Sequence, residues 1–361
     1  MRIAYVINSV EGGGAALPVP AVIRVLRDNG ADVRLFALTR RDGRALPPIE
    51  AAGIAAEVRD GGEKDHVAAL RWLDDAVARS GATHIWTSLT RATLLGQLVG
   101  LRRRLPVASW QHAAFLKPAN RRLLRAMQRL STLWIGDSES VTQLTGERLG
   151  IPPERLLCWP LFPADADAPR AAPWRPGETL RLGSLGRLHP VKGYDVLIAA
   201  FARLKARGIA LPVPVSLTIA GAGEEREPLA AAAREAGIAL DLPGFVGEPR
   251  AFLAGLHLYL QPSRSEGLCI AAHEAMQAGL PVIVSAAGEM PYTVEEGIGG
   301  LIVPPGDPGA LADALARLLT DPERLAPMGR AARQRVLERF GAEAFARNGA
   351  TVLERFRAAR R

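Results

Sequence analysis

LRLGSLGRLHPVKGYDVLIAAFARLK, residues 180–205, decides the fold. Leu180–Leu185 is an apolar run of strand length. Gly186–Gly193 is a loop bounded by glycines and broken by Pro190, and Asp195–Lys205 repeats its apolar residues at helical spacing. Val215–Ala220 then reads as a second strand. Strand, loop, helix and strand in that order make a βαβ unit, whose strands lie parallel because the helix carries the chain back.

The same alternation extends in both directions. Downstream, strands are expected at Ile238–Leu242, Leu258–Gln261 and Val282–Ser285, with helices at Arg226–Ala236, Pro249–Ala254, Ala271–Ala278 and Pro308–Leu319. Upstream, strands are expected at Ile3–Ile7, Val33–Leu38, Ile85–Thr87, Val107–Trp110 and Leu133–Gly136, with helices at Pro18–Asn29, His66–Ser80 and Leu94–Arg103. Two such blocks predict two doubly wound domains. Pro160, Pro163, Pro169, Pro173 and Pro176 punctuate the stretch between them, so a linker is placed at about 163–177. The expected division is an N-terminal domain over 1–165 and a second domain over 166–340. Two amphipathic stretches, Pro322–Arg339 and Ala342–Arg361, follow the last strand.

The 361 residues are 48% hydrophobic and 23% charged, which excludes a disordered chain, a coiled coil and a collagen-like repeat. Cys158 and Cys269 cannot staple a chain of this length, so a reducing, cytoplasmic setting is expected. No apolar run approaches the roughly 18 residues of a membrane span, and the short run Ile3–Ile7 reads as a strand rather than a signal peptide. The net charge of +8 is uneven: residues 1–165 hold 22 Lys+Arg against 16 Asp+Glu, the remainder 23 against 21. The excess is densest around Arg102–Arg104, Lys117, Arg121, Arg122, Arg125 and Arg129. In Asn120–Leu130, Leu123, Leu124, Met127 and Leu130 share a stripe with arginines around it. That pattern fits a helix lying on an anionic membrane, or equally a domain helix with a solvated basic face. Nucleic acid is disfavoured, since no binding module or interleaving of basic and aromatic residues occurs.

Four constellations bear chemistry. Gly12-Gly13-Gly14 follows a strand and precedes a helix, where backbone N–H groups can approach an anion; a simple turn is the alternative, and the spacing is not that of a dinucleotide fingerprint. Arg187 and Lys192, five residues apart at a strand's carboxyl end, suit a diphosphate, whereas two solvated cations would be the bland alternative. Glu266 and Glu274 are eight apart, about 12 Å if helical. Leu268, Ile270, Ala271, Ala275 and Met276 surround them, favouring buried carboxylates over solvated ones. His112, beyond strand Val107–Trp110, reads either as structural or as a site residue. His66, His84, His257 and His273 read as structural. Asp165-Ala166-Asp167 lies in the linker and reads as a loop, and the separated cysteines offer no zinc site.

Several of these segments occur together, in order: Arg187–Phe201 (RLHPVKGYDVLIAAF), Ile219–Glu225 (IAGAGEE), Phe245-Val246-Gly247, Glu266–Met276, Val282–Ser285 and Val303–Asp307. This series resembles the retaining glycosyltransferases of family 4. The resemblance implies the GT-B fold, with two Rossmann-like domains facing a central cleft and residues 341–361 forming a helix that packs back on the first. It further implies a nucleotide-diphosphate sugar as donor, UDP favoured over GDP, and neither cofactor nor metal. Arg187 and Lys192 would bind the diphosphate, and Glu266 the sugar hydroxyls beside the amides of Gly267, Leu268, Cys269 and Ile270. Glu274 would accept the ribose hydroxyls, and the Phe245–Val246 backbone would read the base. Gly13 and Gly14 would approach the diphosphate, and His112 the transferring sugar. The expected acceptor is a hydroxyl of a glycan or lipid-linked molecule, and the basic face of the N-terminal half points to an anionic or lipid-linked one, as in surface polysaccharide or glycolipid assembly. The resemblance departs at Leu268, at Cys269 where glycine or proline is common, and at Ala15-Ala16 where a glutamate often follows the glycines. A nucleotide-sugar 2-epimerase and a non-catalytic nucleotide-sugar-binding protein remain as alternatives.

Overall fold

The computed structural model describes residues 1–12, 15–112 and 116–359. Its two compact units are Met1–Pro163 with Ala342–Arg361, and Ala164–Gly341.

The first unit is built on seven strands: β1 (Arg2–Ser9), β2 (Asp32–Thr39), β3 (Ala56–Val58), β4 (His84–Ser88), β5 (Val107–Gln111), β6 (Leu133–Gly136) and β7 (Leu156–Cys158). They form one parallel sheet in the order β3-β2-β1-β4-β5-β6-β7. The reversal of strand order at β1 is the signature of double winding, and it sets the carboxyl ends of β1 and β4 side by side. Continuous apolar runs such as Ile3–Ile7 are buried because helices cover both faces. Trp86, Trp110 and Trp159 cluster, with Trp110 stacked on Trp159 at 4.8 Å. The last helix, Ala342–Ala358, closes over this cluster, laying Phe345 against Trp159 and Phe356 against Trp86. Each such ring pair contributes about 1 kcal/mol beyond its burial.

The second unit holds β8 (Leu180–Leu185), β9 (Val215–Ala220), β10 (Leu240–Gly244), β11 (Leu258–Gln261), β12 (Val282–Ser285) and β13 (Gly300–Val303). The sheet is again parallel, in the order β10-β9-β8-β11-β12-β13, and reverses at β8. Leu180, Leu182, Leu217, Ile219, Leu258 and Leu260 form its core with Leu197, Leu311 and Leu315 from the flanking helices.

The expected strands are all present, but three others were not foreseen. β3 and β7 are three-residue edge strands whose half-exposed side chains give no apolar run, and β13 begins with a glycine. The expected Ile238–Leu242 lies two residues later, at Leu240–Gly244; this edge strand ends at Pro243-Gly244 with an irregular register. The helix Glu139–Leu149 was also unforeseen, although Ser138 caps it by accepting the Val141 N–H. The proline-punctuated stretch after Pro163 contains neither helix nor named strand. It lies along the second unit, where the Ala164 N–H donates to the Phe340 carbonyl and the Ala171 N–H to that of Ala278. Asp165 and Asp167 form a turn there, with the Asp165 carboxylate paired to Arg250.

Candidate functional site

Loops at the carboxyl ends of β8, β9, β11 and β12 converge in the second unit. The loop after β8 is laced to the one after β9: the Gly186 N–H donates to the Ala220 carbonyl and the Leu188 N–H to that of Ala222. Arg187 is thereby fixed between two anchored residues. Its guanidinium is exposed and has no hydrogen-bond or ion-pair partner among the described residues. Next comes a short turn, Pro190–Lys192, ended by Gly193 at φ 67°. A side chain at Gly193 would stand 2.1 Å from the Pro262 carbonyl oxygen, so only glycine lets the two loops touch. Arg264 completes the seam through a bidentate pair with Asp195 at 2.7 and 2.6 Å.

That contact brings Lys192 onto Glu266. Lys192 Nζ lies 2.7 Å from Glu266 Oε1, with side chains only 18% and 9% exposed. Desolvation works against the Lys192 ammonium, but neighbouring Cys269 and Glu266 outweigh it and raise its pKa above that of an ordinary lysine. Burial also pushes the Cys269 thiol well up, so it is neutral at pH 7 and Glu266 is the partner that counts. The ammonium has three hydrogens and Glu266 takes one, leaving donors for a second anion.

Past Glu266 the chain turns at Cys269, which holds φ 61° although it is not glycine, and enters the helix Ile270–Gln277. The first N–H groups of that helix have no intrahelical acceptor and form its positive end. Glu274 lies in the second turn, half-buried, and its carboxylate makes no hydrogen bond among the described residues. Burial raises its pKa. His273 faces inward between the Cys269 carbonyl and Thr293, neutral with a pKa of about 4 because of desolvation. Phe245 stands at the end of β10 and is 69% exposed, beside half-buried Val246.

Thus Lys192 and Glu266, 74 positions apart in the chain, come into contact, while the Arg187 guanidinium and the Glu274 carboxylate make no hydrogen bond or ion pair among the described residues. The sequence did not reveal that Lys192 and Glu266 pair directly. It also did not reveal Gly288 and Glu289 after β12. Gly288 holds φ 58°, and a Cβ there would meet the Gly267 carbonyl oxygen at 2.2 Å. The Glu289 N–H donates to that same carbonyl, and the fully buried Glu289 carboxylate pairs with Arg339 at 3.1 Å. A Gly-Glu pair two residues after an apolar strand was the available signal.

In the first unit, Gly13 and Gly14 lie outside the described residues. Gly12 is held by Asp42, whose Oδ1 accepts the Gly12 N–H at 2.9 Å. His112, directly after β5, has a side chain only 5% exposed. Its Nε2 is 2.6 Å from Ser88 Oγ, and Nδ1 is 3.4 Å from Asp137 Oδ2 without forming a hydrogen bond. The imidazole is therefore turned into its own unit. In the helix Pro118–Met127, Leu124 is buried while Arg121, Arg122, Arg125 and Leu123 are exposed; Arg129 follows, also exposed. No helix among the described residues is long and apolar enough to cross a membrane.

Residues 167–335 match the family described as Glycosyl transferases group 1. The second unit is a group 1 glycosyltransferase domain. Among proteins similar to the chain, a D-inositol 3-phosphate glycosyltransferase of Thermobispora bispora is 29% identical over 397 residues, covering 95% of this chain and 90% of that protein. Another, of Segniliparus rotundus, is 33% identical over 151 residues, covering 41% of this chain and 34% of its own length. The chain spans between 34% and 65% of the length of the first curated relatives it matches. The Anabaena protein HepE, solved in complex with UDP-glucose, aligns over 98% of this chain and 99% of its own with a TM-score of 0.83 at 20% identity. That likeness shows the fold: two Rossmann-like α/β units of the GT-B class. The matched residues include Arg187, Lys192, Glu266 and Glu274.

Proposed function

We propose that the chain is a retaining glycosyltransferase that moves a sugar from a nucleotide-diphosphate sugar, a UDP-sugar in the first instance, to a hydroxyl of a glycan or lipid-linked acceptor. The observation that carries this reading is the Lys192–Glu266 pair, 2.7 Å apart, beside a partnerless Arg187 in a group 1 glycosyltransferase domain. In the reaction, the bond from the anomeric carbon to the diphosphate oxygen breaks while the acceptor oxygen bonds to that carbon from the same face. The acceptor's proton passes to the departing phosphate. The main requirement is fixed positive charge where negative charge develops. Arg187 as a fork, Lys192 as a point charge and the positive end of the helix Ile270–Gln277 supply it without a metal. Glu266 accepts from the sugar hydroxyls beside the Gly267–Ile270 amides, Glu274 accepts both ribose hydroxyls, and the Phe245–Val246 backbone meets the base. UDP as the nucleotide is supported by the UDP-glucose held by the Anabaena neighbour of the same fold.

The acceptor is membrane-proximal in this reading, as in assembly of bacterial surface polysaccharide or glycolipid, with the protein at the inner face of the cell membrane. Arg121, Arg122, Arg125 and Arg129 would rest on anionic headgroups, with the half-exposed Leu123 directed between them.

A thermal-shift panel of UDP, GDP, ADP and their sugars, with and without EDTA, tests the donor site on wild type and Glu274→Ala. A ligand at 100 times its Kd adds about 2.7 kcal/mol. Stabilisation by the UDP series, unaffected by EDTA and lost in the variant, is the expected result. Donor consumption that requires acceptor then identifies transfer. Turnover without acceptor would point to epimerisation, and binding without turnover to a non-catalytic role.

A further inference from the structure

Glu266 Oε1 accepts hydrogen bonds from Lys192 Nζ at 2.7 Å, Ser263 Oγ at 2.5 Å and Gln261 Nε2 at 3.1 Å, and the Cys269 thiol is a further hydrogen-bond partner of the same carboxylate. The Ser263 and Gln261 bonds begin a buried chain. Gln261 Nε2 also donates to Ser263 Oγ at 2.8 Å, Gln261 Oε1 accepts from the Tyr259 hydroxyl at 2.7 Å, and the Leu185 N–H reaches that hydroxyl oxygen at 3.3 Å. Tyr259, Gln261 and Ser263 are all at most 1% exposed.

Proton accounting fixes the direction of this chain. An ionised carboxylate only accepts, so Ser263 spends its single proton on Glu266 and Gln261 turns its NH2 toward Glu266 and Ser263. The Gln261 carbonyl then faces Tyr259 and takes the phenolic proton at 2.7 Å, the shorter of two contacts, since the Leu185 carbonyl lies 3.2 Å from the same hydroxyl. The phenolic oxygen is left to accept from Leu185, the last residue of β8. Alternation along β11 explains the placement: Leu258 and Leu260 join the apolar core on one face, while Tyr259, Gln261 and, beyond the strand, Ser263 share the other. Three polar residues with no solvent access lead from the backbone of one central strand to a single carboxylate oxygen. Oε2 receives none of these three bonds.

We propose that Ser263 and Gln261, backed by Tyr259, are positioning residues that clamp Glu266 through Oε1, holding it in contact with Lys192 and presenting Oε2 to the donor sugar. The proposal rests on the donor-site reading above. Without the clamp, the carboxylate would turn about its terminal bond and lose two donors that stabilise its charge, and Lys192 would lose its fixed partner.

The test uses Ser263→Ala, Tyr259→Phe and, as the conservative replacement, Ser263→Thr in the full chain, with thermal unfolding to confirm that each folds. The Glu266 carboxyl resonance is followed at constant pH by NMR on protein carrying 13C-carboxyl-labelled glutamate, the resonance being assigned with Glu266→Gln. Ser263→Ala is expected to displace that resonance, Tyr259→Phe to displace it less, and Ser263→Thr to restore it. An unchanged Glu266 resonance in Ser263→Ala overturns the clamp whether or not the protein is a transferase. In turnover, Ser263→Ala is expected to lose about tenfold in kcat/KM, carried by kcat rather than KM, with Ser263→Thr recovering most of the loss. Active wild type with an equally active Ser263→Ala refutes the positioning role alone. Wild type that neither binds nor turns over any nucleotide sugar refutes the donor-site reading itself.

Discussion

Replacing Lys192 with methionine keeps the length of the side chain and removes the cation from its pair with Glu266. Stranding one member of a buried ion pair costs about 3–5 kcal/mol. Here the cost is smaller, because Glu266 keeps the Ser263 and Gln261 donors and Lys192 is 18% exposed. A loss of about 2 kcal/mol is expected. For a unit of this size that corresponds to a fall in Tm of roughly 4–8 °C. The assay is urea unfolding of wild type, Lys192→Met, Glu266→Gln and the double variant. The double variant should fall short of the summed single losses by about 1–2 kcal/mol, because two residues in contact are not independent. The pH dependence follows from the raised pKa of Lys192. Its contribution is fully present below the ordinary lysine value of 10.5 and is lost as pH rises through the higher folded value. The wild-type advantage over Lys192→Met should therefore hold at neutral pH and shrink above about pH 10.5. Single losses that add to within about 0.3 kcal/mol would refute the pairing and the loop seam that it implies.

Glu274→Gln should stabilise the protein at pH 7, since burial raises the Glu274 pKa and so makes its ionised form costly. The advantage should disappear near pH 4, where wild type is protonated too; urea midpoints at the two pH values check this, and UDP binding should weaken about tenfold at the same time. Gly288→Ala places a methyl against the Gly267 carbonyl at a backbone angle that suits glycine, and should cost 2 kcal/mol or more, roughly, with reduced nucleotide binding; unaltered thermal unfolding would sink the argument. Changing Arg121, Arg122 and Arg125 together to glutamine should weaken partitioning onto anionic vesicles by about 100-fold at low salt, from about 1 kcal/mol per charge. Equal binding in a sedimentation assay would remove the membrane role.

The alternation of apolar runs and helical stretches determined two doubly wound units from sequence alone, because a parallel strand covered on both faces must be continuously apolar. Leu180–Leu185, Val215–Ala220 and Val282–Ser285 are found where they were read. Three-residue strands such as β3 and β7 were not legible, since their backbone pairing is supplied by neighbouring strands and little of it by their own side chains. At the site, the residue types and their spacing within each segment were legible: Arg187 with Lys192, and Glu266 eight residues before Glu274. What only the tertiary structure decided was which segments meet. Glycine at 193 and at 288 lets loops from different strands approach until backbone touches backbone. Lys192 is thereby set on Glu266 across 74 positions, and the polar side of β11 supplies the hydrogen bonds that hold it there. Periodicity records what each residue requires of its own helix or strand. The pairing of charges between loops depends on distances that exist only once the sheet has ordered its strands.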